Sequence, residues 1–406
     1  MRLRNVALSL LLAPALALAF APSAGAAPPE RYIVVLKGSA AAGSVSGNHA
    51  DRFGFRVTHV YSHALKGYAA AMPAGVAARL QSLDQVAFVQ RDRVVRAAAQ
   101  IVPTGINRVD ADLSPTAAID GADQRVNVDV AIIDTGIDLD HPDLNVYTAG
   151  GRNCLAPLLP PEDMNGHGTH VAGTVGALDN ATGVVGVAPG ARVWPVKVLS
   201  DAGVGLTSHV VCGIDYVASQ ASQIEVANMS LGGAGEDDGN CGNTNGDAEH
   251  QAICRAVSAG VTFAVAAGND CEDAANSSPA AYDEVITVSA LADFNGQPGG
   301  GTASTCRSDQ DDTFANFSNF GPDVDLIAPG VCILSTSMLG GYATLSGTSM
   351  ASPHVAGGAA LYKATNPTAT PAQVKSALQS AGTLNWIWPS QDPDGIQERL
   401  LNVSTF

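Results

Sequence analysis

The pattern of hydrophobic and polar positions divides the chain into two parts of different architecture. The first part contains apolar, β-branched runs that predict three strands, with a short helix between the second and the third. In chain order these four elements lie at residues 31–38, 65–73, 74–83 and 86–95. They indicate a small α+β unit. An alanine-rich stretch at 96–105 has little that could pack, and we expect it to be an exposed linker.

The second part alternates short apolar strands with helical stretches. The strands are predicted at 126–136, 191–200, 224–233, 261–270 and 285–293. The helices between them are predicted at 167–178, 206–220 and 248–260. Continuous apolar strands that alternate with helices are typical of a parallel sheet covered on both faces. We therefore predict an α/β fold in which a parallel sheet is flanked by helices on both faces and preceded by the small α+β domain.

The N-terminal residues have the form of a secretory signal. Arg2 and Arg4 precede an apolar stretch, which ends in small residues at 24–26. A membrane anchor is the alternative, but Pro14 and the break at 22–23 leave an apolar run that is too short for a span. We expect residues 1–26 to be removed and the remaining chain to be secreted and extracellular, without a membrane association.

The seven cysteines of an exported chain predict disulfides, and the odd number leaves at least one thiol. Proximity along the chain suggests the pairs Cys241–Cys254 and Cys271–Cys306.

The net charge of −17 is unevenly distributed. Residues 1–99 carry eleven Lys or Arg against four Asp or Glu, whereas residues 100–406 carry ten against thirty-four. The two parts are expected to attract each other, and the acidic part would be repelled by nucleic-acid phosphates. The sequence therefore argues against a DNA or RNA partner, and part of the acidity could serve hard cations such as calcium.

Polar residues at the ends of the predicted strands carry the candidate chemistry. Asp134 follows a buried strand, His167 stands between glycines at a helix start, and Asn269 ends another strand. The motif "GTSMASPH" places Ser349 at the start of the last long helix. Active sites of parallel sheets form beyond the carboxyl ends of the strands. A hydroxyl nucleophile needs a histidine to remove its proton and an aspartate to orient that histidine.

The motifs "DTG", "HGTH", "NMSLGG", "AAGND" and "GTSM" occur in the order found in the subtilisin-like serine proteases. The chain resembles this family, the subtilases, and the proteinase K branch in particular. The resemblance implies a secreted serine endopeptidase that acts through an acyl-enzyme on Ser349, rather than on Thr348 or Ser352. His167 and Asp134 would complete the triad, and Asn269 would be the oxyanion donor. A catalytically silent binding protein and a peptide ligase or cyclase are the alternatives.

The resemblance also implies where a polypeptide substrate binds. Extended substrate would lie between two strand edges, and the first specificity pocket would show no charged group, which predicts broad cleavage with an apolar or aromatic preference. The implied substrate-binding residues are Gly203, Val204, Gly205, Ser230, Leu231, Gly232, Ala266, Ala267 and Gly268.

The resemblance implies no cofactor for the chemistry, but it does imply structural calcium. One calcium would be bound by Asp143, Leu178, Asn180, Thr182 and Val184, and a second by Asp283, Val285 and Asp325.

Residues 27–99 resemble the inhibitory propeptide of the family, and residues 100–406 would form the catalytic domain, a monomer. The resemblance implies a zymogen that cuts itself between Arg96 and Ile101 and is inhibited by its own propeptide, whose tail would be residues 94–99. Two acidic or glycine-rich insertions, 233–251 and 293–312, depart from the family pattern and receive no role from it.

Overall fold

A computed structural model describes residues 30–38, 40–92, 100–388 and 392–406. The predicted signal segment 1–26 and the predicted propeptide tail 94–99 lie outside the described residues. The chain divides into two compact units, Met1–Arg96 and Ala97–Phe406. In the part of the chain that the structure describes, no helix has the length and apolar character needed to cross a bilayer.

The first unit is a four-stranded antiparallel sheet with two helices. Its elements are β1 (Glu30–Leu36), α1 (Ala42–Phe53), β2 (Arg56–Tyr61), β3 (Gly67–Met72), α2 (Ala74–Gln81) and β4 (Val86–Arg91). The strand order is β2-β3-β1-β4. Tyr68, Met72 and Leu80 are fully buried between sheet and helices. The sequence pattern predicted neither α1 nor β2. The strand β2 lies at the sheet edge and buries none of its side chains, so it has no apolar pattern.

The second unit contains the remaining elements. Its strands are β5 (Asp129–Asp134), β6 (Arg152–Asn153), β7 (Arg192–Lys197), β8 (Val226–Met229), β9 (Gly233–Ala234), β10 (Thr262–Ala266), β11 (Ser277–Ser278), β12 (Ile286–Ala292), β13 (Thr313–Phe314), β14 (Leu326–Pro329), β15 (Ile333–Ser337) and β16 (Gly341–Leu345). Its helices are α3 (Thr104–Arg108), α4 (His167–Gly176), α5 (Thr207–Ser219), α6 (Ala248–Ser258), α7 (Thr348–Thr365) and α8 (Pro371–Ala381).

The central sheet has the strand order β13-β12-β10-β8-β5-β7-β6, and β14 also pairs with β12. All pairs are parallel except β12 with β13. The five predicted strands correspond to β5, β7, β8, β10 and β12. Two antiparallel pairs, β9 with β11 and β15 with β16, lie outside this sheet.

Alternate residues of the strands enter two separate cores. Val130 and Ile132 of β5 pack in a core with residues of α4 and α7, whereas Ala131 and Ile133 pack in a core with residues of α5 and α6. Both faces are therefore apolar, which explains why the strands are continuous apolar runs instead of alternating ones. The predicted α/β class with helices on both faces is confirmed.

The predicted linker at 96–105 is wrong where the structure describes it. Pro103 and Gly105 are buried, and α3 begins at Thr104. A side chain at Gly105 would clash with the ring of His354 on α7. Close packing against His354 therefore requires glycine at this position, and the glycine does not mark a loop.

The second unit contains the three disulfides Cys154–Cys212, Cys241–Cys254 and Cys306–Cys332. The first joins a loop to α5, the second joins a loop to α6, and the third joins two loops. The pair Cys241–Cys254 forms as predicted. The predicted pair Cys271–Cys306 is wrong, because the fold brings Cys332 to Cys306. Among the seven cysteines, all of them in described residues, Cys271 is an exposed free thiol.

Candidate active site

Asp134 and His167 meet at the carboxyl edge of the central sheet. Asp134 is the last residue of β5 and is fully buried, and His167 is the first residue of α4. The Nδ1 atom of His167 lies 2.8 Å from Oδ1 of Asp134. The approach is close because residue 168 is glycine, and a side chain there would clash with the carbonyl of Gly136. The arrangement keeps the proton on Nδ1 and leaves Nε2 free to accept another one.

The carboxylate of Asp163 holds the start of α4 in place, and the sequence gave no signal for it. It is buried and accepts hydrogen bonds from the backbone N–H groups of Asn165, Gly166 and Thr169, each at 2.9 Å. It also accepts from the hydroxyl of Thr135, which in turn accepts from the N–H of Gly168. A negative charge at a helix N-terminus is favourable. Asp163 thereby fixes the position of His167.

The surroundings of His167 act on its pKa in opposite directions. Burial lowers the pKa of the imidazole, but the charge and hydrogen bond of Asp134, assisted by the charge of Asp163, more than offset burial. The net result is a pKa above the usual value of histidine. The site therefore stabilises the imidazolium that forms when His167 accepts a proton.

Ser349 lies in the first turn of α7, and a buried network attaches this turn to β8. The hydroxyl of Ser230 donates to the carbonyl of Ser349 at 2.8 Å and accepts from the amide of Asn228 at 2.9 Å. The hydroxyl of Ser352 donates to the same Asn228 at 2.7 Å. Ser352 is thus occupied in packing, whereas the side chain of Ser349 is directed to the site.

The Ser349 hydroxyl donates to the carbonyl of Ser230 at 3.3 Å. Between these described residues there is no hydrogen bond from Ser349 to His167. Such bonds are often long without substrate and shorten in the substrate complex.

Asn269 stands beside the start of α7 with its amide oriented. Its Oδ1 accepts from the N–H of Thr348 at 2.8 Å and from the hydroxyl of Thr348 at 3.1 Å. Because the oxygen is occupied, the Nδ2 group is left as the donor for an incoming atom. The first N–H groups of a helix lack intrahelical partners. The N–H of Ser349 and Nδ2 of Asn269 can therefore act together on a developing oxyanion.

Two cavities adjoin these residues and share the segment 231–234. The first, of about 450 Å³, is lined by His167, by Gly203, Val204 and Gly205, and by Ser230, Leu231 and Gly232. The second, of about 460 Å³, is lined by Ser349, Asn269, Leu231, Gly232, Ala266, Ala267 and Gly268. The structure thus brings all the predicted substrate-binding residues to the site. Residues 203–205 and 230–232 lie outside the strands, so the predicted strand edges are loops.

The expectation of an uncharged specificity pocket is wrong in part. Exposed carboxylates of Asp270 and Glu272 line the second cavity, and Glu249 lines the first. Burial, and then the charge of Asp247, raise the pKa of Glu249 to about 7, while a hydrogen bond with Ser278 acts in the opposite direction. Sequence reasoning missed all three because they come from turns and an insertion next to the motifs.

The residues predicted for the first calcium converge. Asp143 is buried, its Oδ1 accepts from Asn180 at 2.8 Å, and its Oδ2 accepts from the N–H of Val184 at 3.0 Å. The N–H and hydroxyl of Thr182 donate to Asn180 Oδ1. Burial raises the pKa of Asp143 above its usual value, although these hydrogen bonds lower it. A cation would offset this cost.

A residue that the sequence pattern did not indicate joins this cluster. The side-chain amide of Gln100 donates to the carbonyls of Leu178 and Val184 at 2.5 and 2.8 Å. Flipping the side-chain amide of Gln100 places its oxygen, instead of its nitrogen, beside the same two carbonyls. The set of carboxylate, amide and carbonyl oxygens fits a hard cation.

The residues predicted for the second calcium surround a lysine instead. The ammonium of Lys375 donates to the carbonyls of Asp283 and Val285 at 3.1 and 2.8 Å, and it forms an ion pair with Asp325 at 2.8 Å. These are the three predicted ligands. The ammonium of Lys375 on α8 occupies the position predicted for the second calcium, so that prediction is wrong.

Comparison with known proteins shows the family of the chain. Residues 125–395 match the model of the subtilase family, and residues 31–98 match that of the peptidase inhibitor I9 family. The chain belongs to the subtilase family. Subtilisin NAT of Bacillus subtilis subsp. natto is 40% identical over 308 residues, which cover 75% of this chain and 72% of that protein. An extracellular serine proteinase of Thermus sp. (strain Rt41A) is 40% identical over 340 residues, 82% of this chain and 74% of that protein.

A solved structure of a cold-adapted subtilisin-like serine proteinase is 34% identical, with a TM-score of 0.58, and covers 75% of this chain and 99% of that one. This subtilase is therefore a serine endopeptidase with an I9 propeptide domain, and its substrates are polypeptides. The alternative of a catalytically silent protein is set aside.

Proposed function

We propose that the protein is a secreted serine endopeptidase, made as a zymogen that cuts itself, in which Ser349 is the nucleophile. The observation that carries the proposal is the 2.8 Å contact between His167 and Asp134, which leaves Nε2 of His167 free at the first cavity. This cavity shares the segment 231–234 with the second one, which Ser349 lines. Asp134 orients His167, and Asn269 is the oxyanion donor.

The proposed reaction has two acyl-transfer steps. His167 Nε2 takes the proton of the Ser349 hydroxyl while Oγ attacks the peptide carbonyl carbon. The carbonyl oxygen becomes an oxyanion, which accepts hydrogen bonds from the N–H of Ser349 and Nδ2 of Asn269. Imidazolium then protonates the leaving amine, and the acyl group remains on Oγ. Water, deprotonated by His167, attacks this ester, and Ser349 regains its proton.

We further propose broad specificity with an apolar or aromatic preference. The second cavity has small uncharged walls at Ala266, Ala267 and Gly232 that leave room for a large side chain. Its exposed carboxylates, Asp270 and Glu272, add a tolerance for basic side chains through long-range attraction.

The proposed domain division is a signal at 1–26, a propeptide at 27–99 that inhibits in cis, and a catalytic domain at 100–406. The processed enzyme would act outside the cell as a monomer without nucleic-acid or membrane partners. The charge asymmetry supports the inhibitory role, because residues 27–99 carry nine basic against four acidic side chains.

Intact mass of the secreted product tests the zymogen proposal. The wild-type precursor is expected to lose its propeptide by a cut between Arg96 and Ile101, whereas the Ser349→Ala precursor keeps it. Ser352→Ala, a hydroxyl three residues away on the same helix, is the matched control and should be cut like the wild type. Identical processing of wild type and Ser349→Ala would contradict self-cleavage.

We also propose that one structural calcium is bound by Asp143, Asn180, Gln100 and the carbonyls of Leu178, Thr182 and Val184. The family supports this, since structural calcium is common in subtilisins, and the buried carboxylate supplies the local reason. The ion takes no part in the chemistry.

Calcium is expected to raise the midpoint of thermal unfolding by about 5–10 °C over a chelator when its concentration is about a hundred times its Kd. The enzyme is first inactivated with a serine-directed sulfonyl fluoride to prevent self-digestion. Asp143→Asn should remove most of the difference, and Asp123→Asn, an exposed acid paired only with Arg125, should keep it. Equal midpoints of the inactivated wild type with calcium and with chelator would refute the site.

A further inference from the structure

The acidic insertion 233–251 runs into α6, and its buried histidine receives no role from the proposed reaction. His250 lies in the first turn of α6, and its side chain is fully buried. Its ring stacks on Tyr282 with the centroids 4.0 Å apart and the planes within 2°. The disulfide Cys241–Cys254 ties the insertion to α6 on either side of this histidine. The ring is therefore held in one orientation.

Three carboxylates face the two ring nitrogens of His250. Nε2 lies 2.9 Å from Oε2 of Glu284. Nδ1 lies 3.7 Å from Oδ1 of Asp237 and 3.7 Å from Oδ1 of Asp238, too far for hydrogen bonds. Nδ1 is buried and has no hydrogen-bond partner among the described residues. A buried, unpartnered nitrogen thus points between two carboxylates.

Backbone groups hold both carboxylates in place. Asp238 accepts N–H groups from four residues of the insertion, Asn240, Gly242, Thr244 and Asn245. Asp237 accepts from Gly239 and from Asp283. The two carboxylates are therefore fixed next to Nδ1, and a cation placed between these three groups would bind to all of them.

The 3.7 Å distances from His250 Nδ1 to the two carboxylates fit ligands that share a metal ion better than they fit a direct hydrogen bond. Two ligands of one tetrahedral zinc ion, each about 2.0–2.2 Å from the metal, lie about 3.4 Å apart. A histidine that binds a metal through one nitrogen usually donates the N–H of the other to a carboxylate, as Nε2 does here to Glu284. The nitrogen ligand disfavours calcium, which takes oxygen ligands, and favours zinc among the common divalent ions.

We propose that Asp237, Asp238 and Nδ1 of His250 bind a zinc ion, and that Glu284 is a positioning residue that orients His250. The metal fastens the acidic insertion to α6. The sulfurs of Cys241 and Cys254 lie near His250 and Glu284, but they are joined to each other in a disulfide, so they are not ligands. The site is separate from Ser349, His167 and Asp134, and it stands independently of the proposed reaction.

Zinc content of the purified chain tests this site. The full chain with Ser349→Ala, which prevents self-digestion, is saturated with zinc in a calcium-containing buffer, freed of excess metal and measured by mass spectrometry. One zinc per chain is expected. His250→Gln should remove it, whereas His209→Gln, a histidine near the start of α5, should retain it. Zinc should also raise the midpoint of thermal unfolding of the parent chain and not that of His250→Gln.

Glu284→Gln separates ligation from a loss of folding. Its side chain is 29% exposed, and the variant should fold and bind zinc with about 10–100-fold weaker affinity in competition with a chromogenic chelator. Two results would overturn the proposal. In the first, the parent chain holds no zinc after saturation. In the second, His250→Gln keeps its zinc.

Discussion

Replacing Ser349 with alanine is expected to lower kcat for peptide hydrolysis by about 10⁶-fold, the order found when the same residue is removed from a subtilisin. KM should change little, because nearly all the residues that line the two cavities are unchanged in this variant. The residual rate, about 10³–10⁴-fold above that in water, would come from the oxyanion donors and substrate binding. The measurement is hydrolysis of a chromogenic peptide by the processed domain, folded with its propeptide added in trans.

The same loss is expected for His167→Ala, and the double variant should be no slower than either single one. The reason is that the serine and the histidine act as one unit, so the loss of one makes the other useless. Ser352→Ala is the control, since its hydroxyl is occupied by Asn228, and its cost should be about 1 kcal/mol of folding stability. Additive losses in the double variant would show that His167 is not the base for Ser349.

Asp134→Asn is expected to lower kcat by about 10⁴-fold. Asp134 accepts the N–H of His167 Nδ1 at 2.8 Å, whereas an asparagine amide in this place can donate to Nδ1 and move the proton to Nε2. His167 then presents a proton to Ser349 where a lone pair is needed. Asp163→Asn is the comparison, because this acid fixes the helix start without touching His167, and a much smaller loss is expected.

The pH profile of Asp134→Asn gives an independent test. The rate rises with pH as His167 loses its proton, so the acid limb of kcat/KM reports the pKa of this histidine. The charge of Asp134 raises that pKa against the opposing effect of burial. Removing the charge should therefore move the acid limb to lower pH. A limb that stays in place would mean that Asp134 does not influence the titration of His167.

The central sheet could be predicted because its strands are buried on both faces. Each of β5, β7, β8, β10 and β12 is a short continuous apolar run between helices, and that pattern has few other solutions. The strand β2 could not be found in this way, because it buries no side chain and depends on hydrogen bonds to β3. The stretch 96–105 was predicted as a linker for a related reason, since the role of Gly105 in it depends on His354, which is far along the chain.

Short motifs were enough to recognise the family and its chemical groups, because the strand-end Asp, His, Asn and Ser each lie within a few residues of the glycines that mark them. The pairing of charged and polar side chains depends on the tertiary structure. Only folding brings Lys375 to the carbonyls of Asp283 and Val285, which excludes a calcium that the family resemblance implied. Folding likewise places Gln100 beside Leu178 and Glu284 beside His250. Electrostatic partners meet through space, and their separation along the chain carries no information about that distance.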